Sequence, residues 1–183
     1  MSESCVLAVC GTPGVGKTFV CQALAKKGWR VLNLAELAQD LGCLGEQDEH
    51  DGASPIDIHA LGEKWEAPKE GLWVVDGHLS HFMEVDGLVL LRCHPSILSE
   101  RLAQRGYPAE KIQANCEWEL VAGHWAELLE FEVEIPLLEL DAGVMDVEEM
   151  VEEITTWVED GIASEELTEL ALNAIDWLNQ ADS

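Results

Sequence analysis

Basic residues are scarce in this chain and unevenly placed. Of its 183 residues, 10 are Lys or Arg and 36 are Asp or Glu, which gives a formal net charge of −26. No Lys or Arg follows Lys111, and residues 112–183 contain 20 acids. Because such a chain repels nucleic acid, we expect no direct nucleic-acid binding. Two explanations of the acidic part stay open: a solvated surface suited to a salty cytosol, or a docking face for a basic protein.

The sequence also lacks the usual signs of membrane insertion, secretion and cysteine-bound metal. It has no run of 18 apolar residues, so we expect no transmembrane helix and no membrane association. The N-terminus has no basic segment ahead of an apolar one, so no signal peptide is expected. None of the six cysteines forms a C-x-x-C pair, so a zinc site is not indicated. We expect a cytoplasmic protein with reduced thiols.

Five short apolar runs alternate with helical patterns: "CVLAVC" (5–10), "WRVLNL" (29–34), "LWVVD" (72–76), "LVLLR" (88–92) and "IPLLELDA" (135–142). All five predict strands, and the first, third and fourth are typical of parallel strands buried on both faces. The alternation predicts one α/β domain over 1–183, with a five-stranded parallel sheet flanked by helices. Residues 43–58 are rich in turn formers and predict a mobile insertion. Residues from about 145 to 180 predict two acidic amphipathic helices, the first with a capping box of Asp146 and Glu149.

A phosphate-binding loop follows the first predicted strand. Residues 11–18 read "GTPGVGKT", the Walker A pattern G-x-x-x-x-G-K-[ST], and a helical pattern follows them. The glycines let the backbone wrap around phosphates, and the helix N-terminus adds a positive dipole end. Lys17 is predicted to contact the β and γ phosphates, and the Thr18 hydroxyl to hold Mg²⁺. The pattern indicates a nucleoside triphosphate site without naming a reaction.

A carboxylate stands where a second magnesium contact is needed. Asp76 ends the strand "LWVVD", at the edge of a parallel sheet where ligands bind. It is therefore predicted to hold Mg²⁺ or a water bound to it, as a Walker B acid does. His78 follows two residues later and could orient water or contact phosphate, although a lone histidine near a turn is more often structural.

Three of the four arginines lie within 14 residues of one another. Arg92 ends a predicted strand, and Arg101 and Arg105 lie four residues apart on a predicted helix (96–106) for which Ser96 is the candidate N-cap. Phosphoryl transfer needs positive charge on the migrating group, which guanidinium groups supply. We expect phosphate contacts from these three residues, with salt bridges to nearby acids as the alternative.

Taken in order, "GTPGVGKT", "VLNLAELA", "VVDGH", "VLLR" and "ERLAQRGYPAEKIQANCEWEL" resemble the adenylate kinase isoenzyme 6 type, a family of archaeal and eukaryotic nuclear proteins. The resemblance covers residues 5 to 120 and extends weakly into "EEMVEEITTWVED". It implies the P-loop nucleoside monophosphate (NMP) kinase fold, a monophosphate-binding insertion at about 34–57 and a short lid at about 104–114. It also implies monomers.

The resemblance further assigns roles to residues of this chain. It implies ATP contacts from Gly14, Gly16, Lys17, Thr18, Phe19 and Arg105. With it, the expected catalytic group is Lys17, Asp76, His78 and Arg105, and the clustered Arg92 and Arg101 are expected to contact the substrate. Two positions depart from the usual family pattern, since Gly77 stands where an aromatic residue is common and Phe19 where a small one is. In addition, no Arg occurs between Val31 and Lys64, so Arg92 would have to hold the acceptor's phosphate largely alone.

Two activities stay open on this resemblance. As a kinase, the chain would transfer the γ-phosphate of Mg-ATP to AMP or another NMP. As an ATPase in maturation of the small ribosomal subunit, it would activate water, with His78 placing the water and a basic ribosomal protein bound to the acidic half. A guanine-nucleotide switch is not expected, because the sequence has no N-K-x-D motif.

Overall fold

Five parallel strands form the centre of the fold, as predicted. The computed structural model describes residues 4–46, 54–163 and 165–180. The strands are β1 (Cys5–Cys10), β2 (Arg30–Asn33), β3 (Leu72–Asp76), β4 (Gly87–Arg92) and β5 (Leu137–Asp141), in the spatial order β2-β3-β1-β4-β5. β1 and β4 are buried along their whole length, because helices cover both faces of the sheet.

The helices follow the strands in alternation. They are α1 (Lys17–Lys26), α2 (Leu34–Asp40), α3 (Ile58–Lys64), α4 (Pro95–Gln104), α5 (Ala109–Leu120), α6 (Gly123–Glu130), α7 (Val147–Glu159), α8 (Leu167–Leu172) and α9 (Trp177–Gln180). A 3₁₀ turn (Ser80–Phe82) follows β3. No described helix is both long and apolar enough to cross a membrane.

Alternate residues of β1 pack into three apolar clusters, one on the first face of the sheet and two on the other. Leu7 and Val9 pack in one core with residues of α1, α4 and α7, among them Leu24, Leu98 and Ile154. On the other face, Ala8 and Cys10 pack with residues of α6, among them Trp125 and Leu128, and Val6 packs with residues of α2 and α3. All six cysteines are free thiols.

The strand register brings the site residues to one edge. Val9 of β1 lies opposite Asp76 of β3, and Asn33 of β2 also lies opposite Asp76. Because all five strands run the same way, the phosphate loop after β1 and the segments after β2 and β3 leave the sheet at the same edge.

Two predicted helices differ in the structure. α4 starts at Pro95 and is capped by His94, whose Nδ1 accepts from the Ser96 amide at 3.3 Å, so the prediction of Ser96 as N-cap was wrong. A proline at the first helical position needs no amide partner, which moves the helix start one residue earlier. The last predicted helix is divided into α8 and α9. The capping box of Asp146 and Glu149 on α7 is present, as predicted.

The predicted insertion is described only in part. α2 and an isolated antiparallel bridge between Leu44 and Ile56 belong to it, while residues 47–53 lie outside the described residues, and with them the expectation of a mobile segment. The predicted lid contains the turn after α4 and the first residues of α5.

Candidate active site

The phosphate loop forms at residues 11–16 between β1 and α1, and the backbone there needs its glycines. Gly11, Gly14 and Gly16 have φ of 143°, 93° and 115°, values that other residues rarely adopt. A Cβ on Gly14 would lie 2.8 Å from Leu102 Cδ2, so Gly14 is also required for packing against α4. No side chain among the described residues caps α1, which leaves its N-terminus open to an anion.

Lys17 bends back over this loop. Its Nζ donates to the carbonyl oxygens of Gly11 and Thr12, at 2.7 and 3.2 Å. Burial, the largest cause, lowers the pKa of Lys17. The ammonium group is therefore held inside the loop that would surround phosphate oxygens.

Thr18 and Asp76 meet at the base of the loop. Thr18 Oγ1 donates to Asp76 Oδ2 at 3.0 Å, and Asp76 is 8% exposed. A hydroxyl and a carboxylate side by side are oxygen ligands of the type that Mg²⁺ prefers. The structure thus brings together the two residues that the sequence predicted for the metal.

Two clefts open from the loop and share residues. The inner cleft has a volume of about 410 Å³ and is lined by the predicted site residues Lys17, Thr18, Asp76 and His78. It extends to the start of α2, at Asn33, Leu34 and Ala35. Its remaining walls include Ile56, Tyr107 and Lys111. The outer cleft, of about 570 Å³, contains Phe19, Arg101, Gln104, Met145 and Val147. Gly14, Gly16 and Arg105 line both, so Arg105 lies between them. A third cleft, of about 620 Å³, is lined by Glu132, Glu134, Glu165 and Glu166 and is too acidic to attract a nucleotide.

His78 lies at the wall of the inner cleft. Its side chain is exposed, but the pKa of His78 is lowered. The larger cause is partial loss of contact with water, and the second is the positive charge of Lys17. His78 is therefore neutral at neutral pH, and a neutral imidazole can accept a hydrogen bond from water.

Arg92 ends β4 as predicted, but its side chain does not face either cleft. Its Nε donates to Glu119 Oε1 at 2.6 Å and its guanidinium NH1 nitrogen to Glu139 Oε1 at 2.8 Å, and Arg92 is 1% exposed. The prediction of a substrate contact is corrected, because the guanidinium is enclosed by two carboxylates and lines neither cleft. The salt-bridge alternative describes this arginine.

Arg101 and Arg105 have different surroundings. Arg101 donates to the carbonyl oxygens of Val15 and Ala142, at 3.0 and 2.8 Å, so it ties the phosphate loop to the segment after β5. Arg105 is exposed at the end of α4 and borders both clefts. Phe19 is 59% exposed on the outer cleft, where a planar ligand could stack on it.

Comparisons with known proteins agree with this geometry. The AAA domain family matches residues 7–122. A protein of Pyrococcus abyssi named "Putative adenylate kinase" is 41% identical over 86% of each chain. A protein of the same name from Archaeoglobus fulgidus is 34% identical over 97% of this chain and 94% of its own. The chain belongs to the family of these archaeal proteins, within the AAA domain family. The resemblance found in the sequence is thereby confirmed.

Two solved structures share the fold of this chain at low sequence identity. A gluconokinase of Sinorhizobium meliloti covers 94% of this chain at 21% identity with a TM-score of 0.51. A deoxyadenosine kinase of M. mycoides covers 85% at 16% identity with a TM-score of 0.54. At such identities the likeness concerns the fold, which is the P-loop kinase fold that the sequence predicted.

Glu119 helps to hold the phosphate loop in place, and the sequence analysis did not predict this role. Glu119 of α5 accepts from Thr12 Oγ1 at 2.6 Å, from the Cys93 amide at 3.2 Å and from Trp177 Nε1 at 3.2 Å, besides its pair with Arg92. Glu119 is 107 residues from Thr12 and 58 from Trp177 along the chain. No local pattern announces such a contact, and the strongest available signal was that Glu119 interrupts the apolar positions of its helix.

Proposed function

We propose that this chain transfers the γ-phosphate of Mg-ATP to AMP or a related nucleoside monophosphate. The observation that carries the proposal is the inner cleft, which continues from Lys17, Thr18 and Asp76 to the start of α2. The phosphate loop would hold ATP, and the cleft beyond it leaves room for an acceptor. The names of the archaeal relatives support the same reaction.

Each group of the site has a defined task in this proposal. Lys17 and the loop amides would bind the β and γ phosphates, and Thr18 and Asp76 would hold Mg²⁺, which neutralises charge on the phosphates. Arg105, which borders both clefts, would cover the transferred group. The base of ATP would lie in the outer cleft, with Phe19 on one side. No general base is needed, because the acceptor oxygen belongs to a phosphate that is already an anion.

The acceptor phosphate would be held without Arg92. Among the described residues, the cations that line the inner cleft are Lys17, Arg105 and Lys111. Arg105 and Lys111, which would then bind the phosphate of the acceptor, belong to the predicted lid and not to the predicted insertion. Closure of that segment would then be coupled to acceptor binding and would exclude water from the reacting phosphate.

The fate of a labelled phosphate tests the proposal. With γ-labelled ATP and AMP, we expect label in ADP and two ADP formed for each AMP consumed. Label in inorganic phosphate, at a rate that AMP does not change, would show a hydrolase instead. Lys17→Met removes the phosphate contact, and Lys26→Met, at the far end of α1, is the matched control.

A second candidate is the ATPase that acts in small-subunit maturation through a basic ribosomal protein. It is favoured by the charge distribution, since residues 112–183 carry 20 acids and no Lys or Arg. On α7 the acids Glu148, Glu152, Glu153 and Glu159 are all exposed, and they could bind a basic segment. In this reaction His78 would place the attacking water.

Charge reversal separates this candidate from simple salt adaptation. Changing Glu148, Glu152, Glu153 and Glu159 to Lys, and leaving the capping residue Glu149, should weaken binding of a basic partner and flatten its salt dependence. Changing the exposed Glu63, Glu66, Glu70 and Glu84 to Lys, which alters the net charge equally, is the matched control. Equal effects of the two variants would reject α7 as the docking face.

A further inference from the structure

Two buried histidines and a glutamate meet behind the phosphate loop and take no part in the proposed reaction. His81 lies in the 3₁₀ turn after β3, and His124 and Glu127 lie one turn apart on α6. His81 is 1% exposed and His124 6%, while the Glu127 side chain is 26% exposed. Ser80 Oγ donates to the Val9 carbonyl oxygen at 3.1 Å, which anchors the turn against β1.

Among the described residues, the nearest acceptor side chain to both imidazoles is Glu127, and the backbone of His78 lies close enough to His81 to raise its pKa slightly against the effect of burial. Within the described ranges, both ring nitrogens of His81 and of His124 are buried without a hydrogen bond. Buried polar groups nearly always form hydrogen bonds, because a group that loses its hydrogen bonds to water without replacing them destabilises the folded state. The nearby Arg92 and Glu119 follow that rule. Two buried imidazoles without a well-formed hydrogen bond, side by side, therefore point to a ligand that the described residues do not supply.

The distances between the three side chains suit a metal ion. Glu127 Oε2 lies 3.4 Å from His81 Nε2 and 3.7 Å from His124 Nδ1, and one ligand atom from each residue falls within 4.8 Å of the others. Ligands about 2.0–2.1 Å from a tetrahedral zinc ion are roughly 3.3 Å apart. Only small side-chain movements separate the observed positions from such a site.

The chemistry of the donors agrees with the distances. Burial lowers the pKa of His81 to about 4 and that of His124 to about 3, so both rings are neutral near pH 7 and offer a lone pair. Two imidazoles and a carboxylate are ligands that Zn²⁺ and related transition metals prefer, whereas Mg²⁺ prefers oxygen atoms alone. This donor set therefore differs from that of Thr18 and Asp76.

We propose that His81, His124 and Glu127 bind one divalent transition-metal ion, with Zn²⁺ the best fit. Three protein ligands leave a fourth position for water. The ion would join the turn that follows Asp76 and His78 to α6, and so would fix the segment that carries these two site residues. None of the six cysteines belongs to this group of ligands.

Metal uptake by the whole chain tests the site. Protein stripped with EDTA and free of nucleotide should bind one equivalent of Zn²⁺. At Zn²⁺ concentrations about a hundredfold above Kd, its Tm should rise by about 5–10 °C. Co²⁺ should give the visible absorption of a tetrahedral complex, and Zn²⁺ should displace it. Wild-type protein that takes up neither ion would overturn the proposal.

Variants decide where the ion sits. His81→Ala, His124→Ala and Glu127→Gln should each lose the Co²⁺ absorption and the Zn²⁺-dependent rise in Tm. His59→Ala, which removes an exposed histidine of α3, and Asp76→Asn should keep both. Retention in Glu127→Gln, or loss in Asp76→Asn, would place the ion elsewhere. If the histidine variants do not fold, Glu127→Gln is the deciding variant. Glu127 is partly exposed and glutamine has the same shape as glutamate, so this variant should fold.

Discussion

At the scale of single residues, Arg92 and Glu119 form an ion pair that is buried on both sides. Their side chains are 1% and 0% exposed. Arg92→Met leaves the Glu119 carboxylate buried without its partner, so we expect the free energy of unfolding to fall by about 3–5 kcal/mol. Urea denaturation followed by circular dichroism measures this loss.

Arg105→Met is the matched control for Arg92→Met. It removes the same charge from an exposed position, so its stability should stay within about 0.5 kcal/mol of wild type, while phosphoryl transfer falls. If Arg92→Met kept wild-type stability and only raised the KM for the acceptor, the assignment of a structural role to Arg92 would be wrong.

Lys17 is the residue on which catalysis should depend most directly. Its ammonium lies within the loop, and the loss of one preorganised charge at a transferring phosphate lowers kcat by about 10²–10³-fold. We expect that loss for Lys17→Met, measured as ADP formed from ATP and AMP. Lys26→Met should match wild type, and an unchanged Tm in both variants would show that folding is intact.

At the scale of elements, the junction between α5 and α6 is tightly packed. A Cβ on Gly123, the first residue of α6, would overlap the ring of Trp118. Gly→Ala in a helix usually stabilises by about 1 kcal/mol. Here the clash should reverse the sign, and we expect Gly123→Ala to lower the free energy of unfolding by about 1–3 kcal/mol.

Gly62 provides the matched comparison for this packing. It lies within α3, and a Cβ there would meet nothing within 4 Å, so Gly62→Ala should be stabilising by up to about 1 kcal/mol. In a Trp118→Ala background the penalty of Gly123→Ala should disappear, as a double-mutant cycle in urea would show. A penalty that persists there would mean that the ring is not its cause.

At the scale of the whole molecule, charge repulsion opposes the folded state. The net charge is −26, and salt shortens the Debye length from about 10 Å at 0.1 M to about 3 Å at 1 M. We therefore expect Tm to rise between 0.1 and 1 M KCl, measured by differential scanning fluorimetry. Changing Glu148, Glu152, Glu153 and Glu159 to Gln should reduce the rise, and an unchanged slope would show that repulsion on α7 does not matter.

The parts of the site that the sequence predicted are those set by local patterns. The loop from Gly11 to Thr18 and the strand that ends at Asp76 each carry their signal within a few residues, and a parallel sheet brings their ends together whatever the rest of the chain does. The five strands were predictable for the same reason, since short apolar runs that alternate with helical patterns indicate parallel strands. Burial on both faces holds for β1 and β4, whereas the edge strand β2 is largely exposed.

The parts that the sequence missed depend on contacts between distant residues. Arg92 ends its strand as expected, but its partners Glu119 and Glu139 lie 27 and 47 residues away, and no spacing rule connects them. His81 and His124 are likewise brought together only by the packing of α6 over the sheet. Such pairs become visible when the tertiary structure is known.

The contacts of Glu119 also have a thermodynamic consequence. Through Thr12 and Trp177, this one carboxylate joins the phosphate loop to α9. A protein that binds α9 and moves it would alter the hydrogen bonds of Glu119, and with them the shape of the loop. Nucleotide and partner would then be reciprocal effectors: each would change the affinity for the other by the same factor, whichever of them binds first.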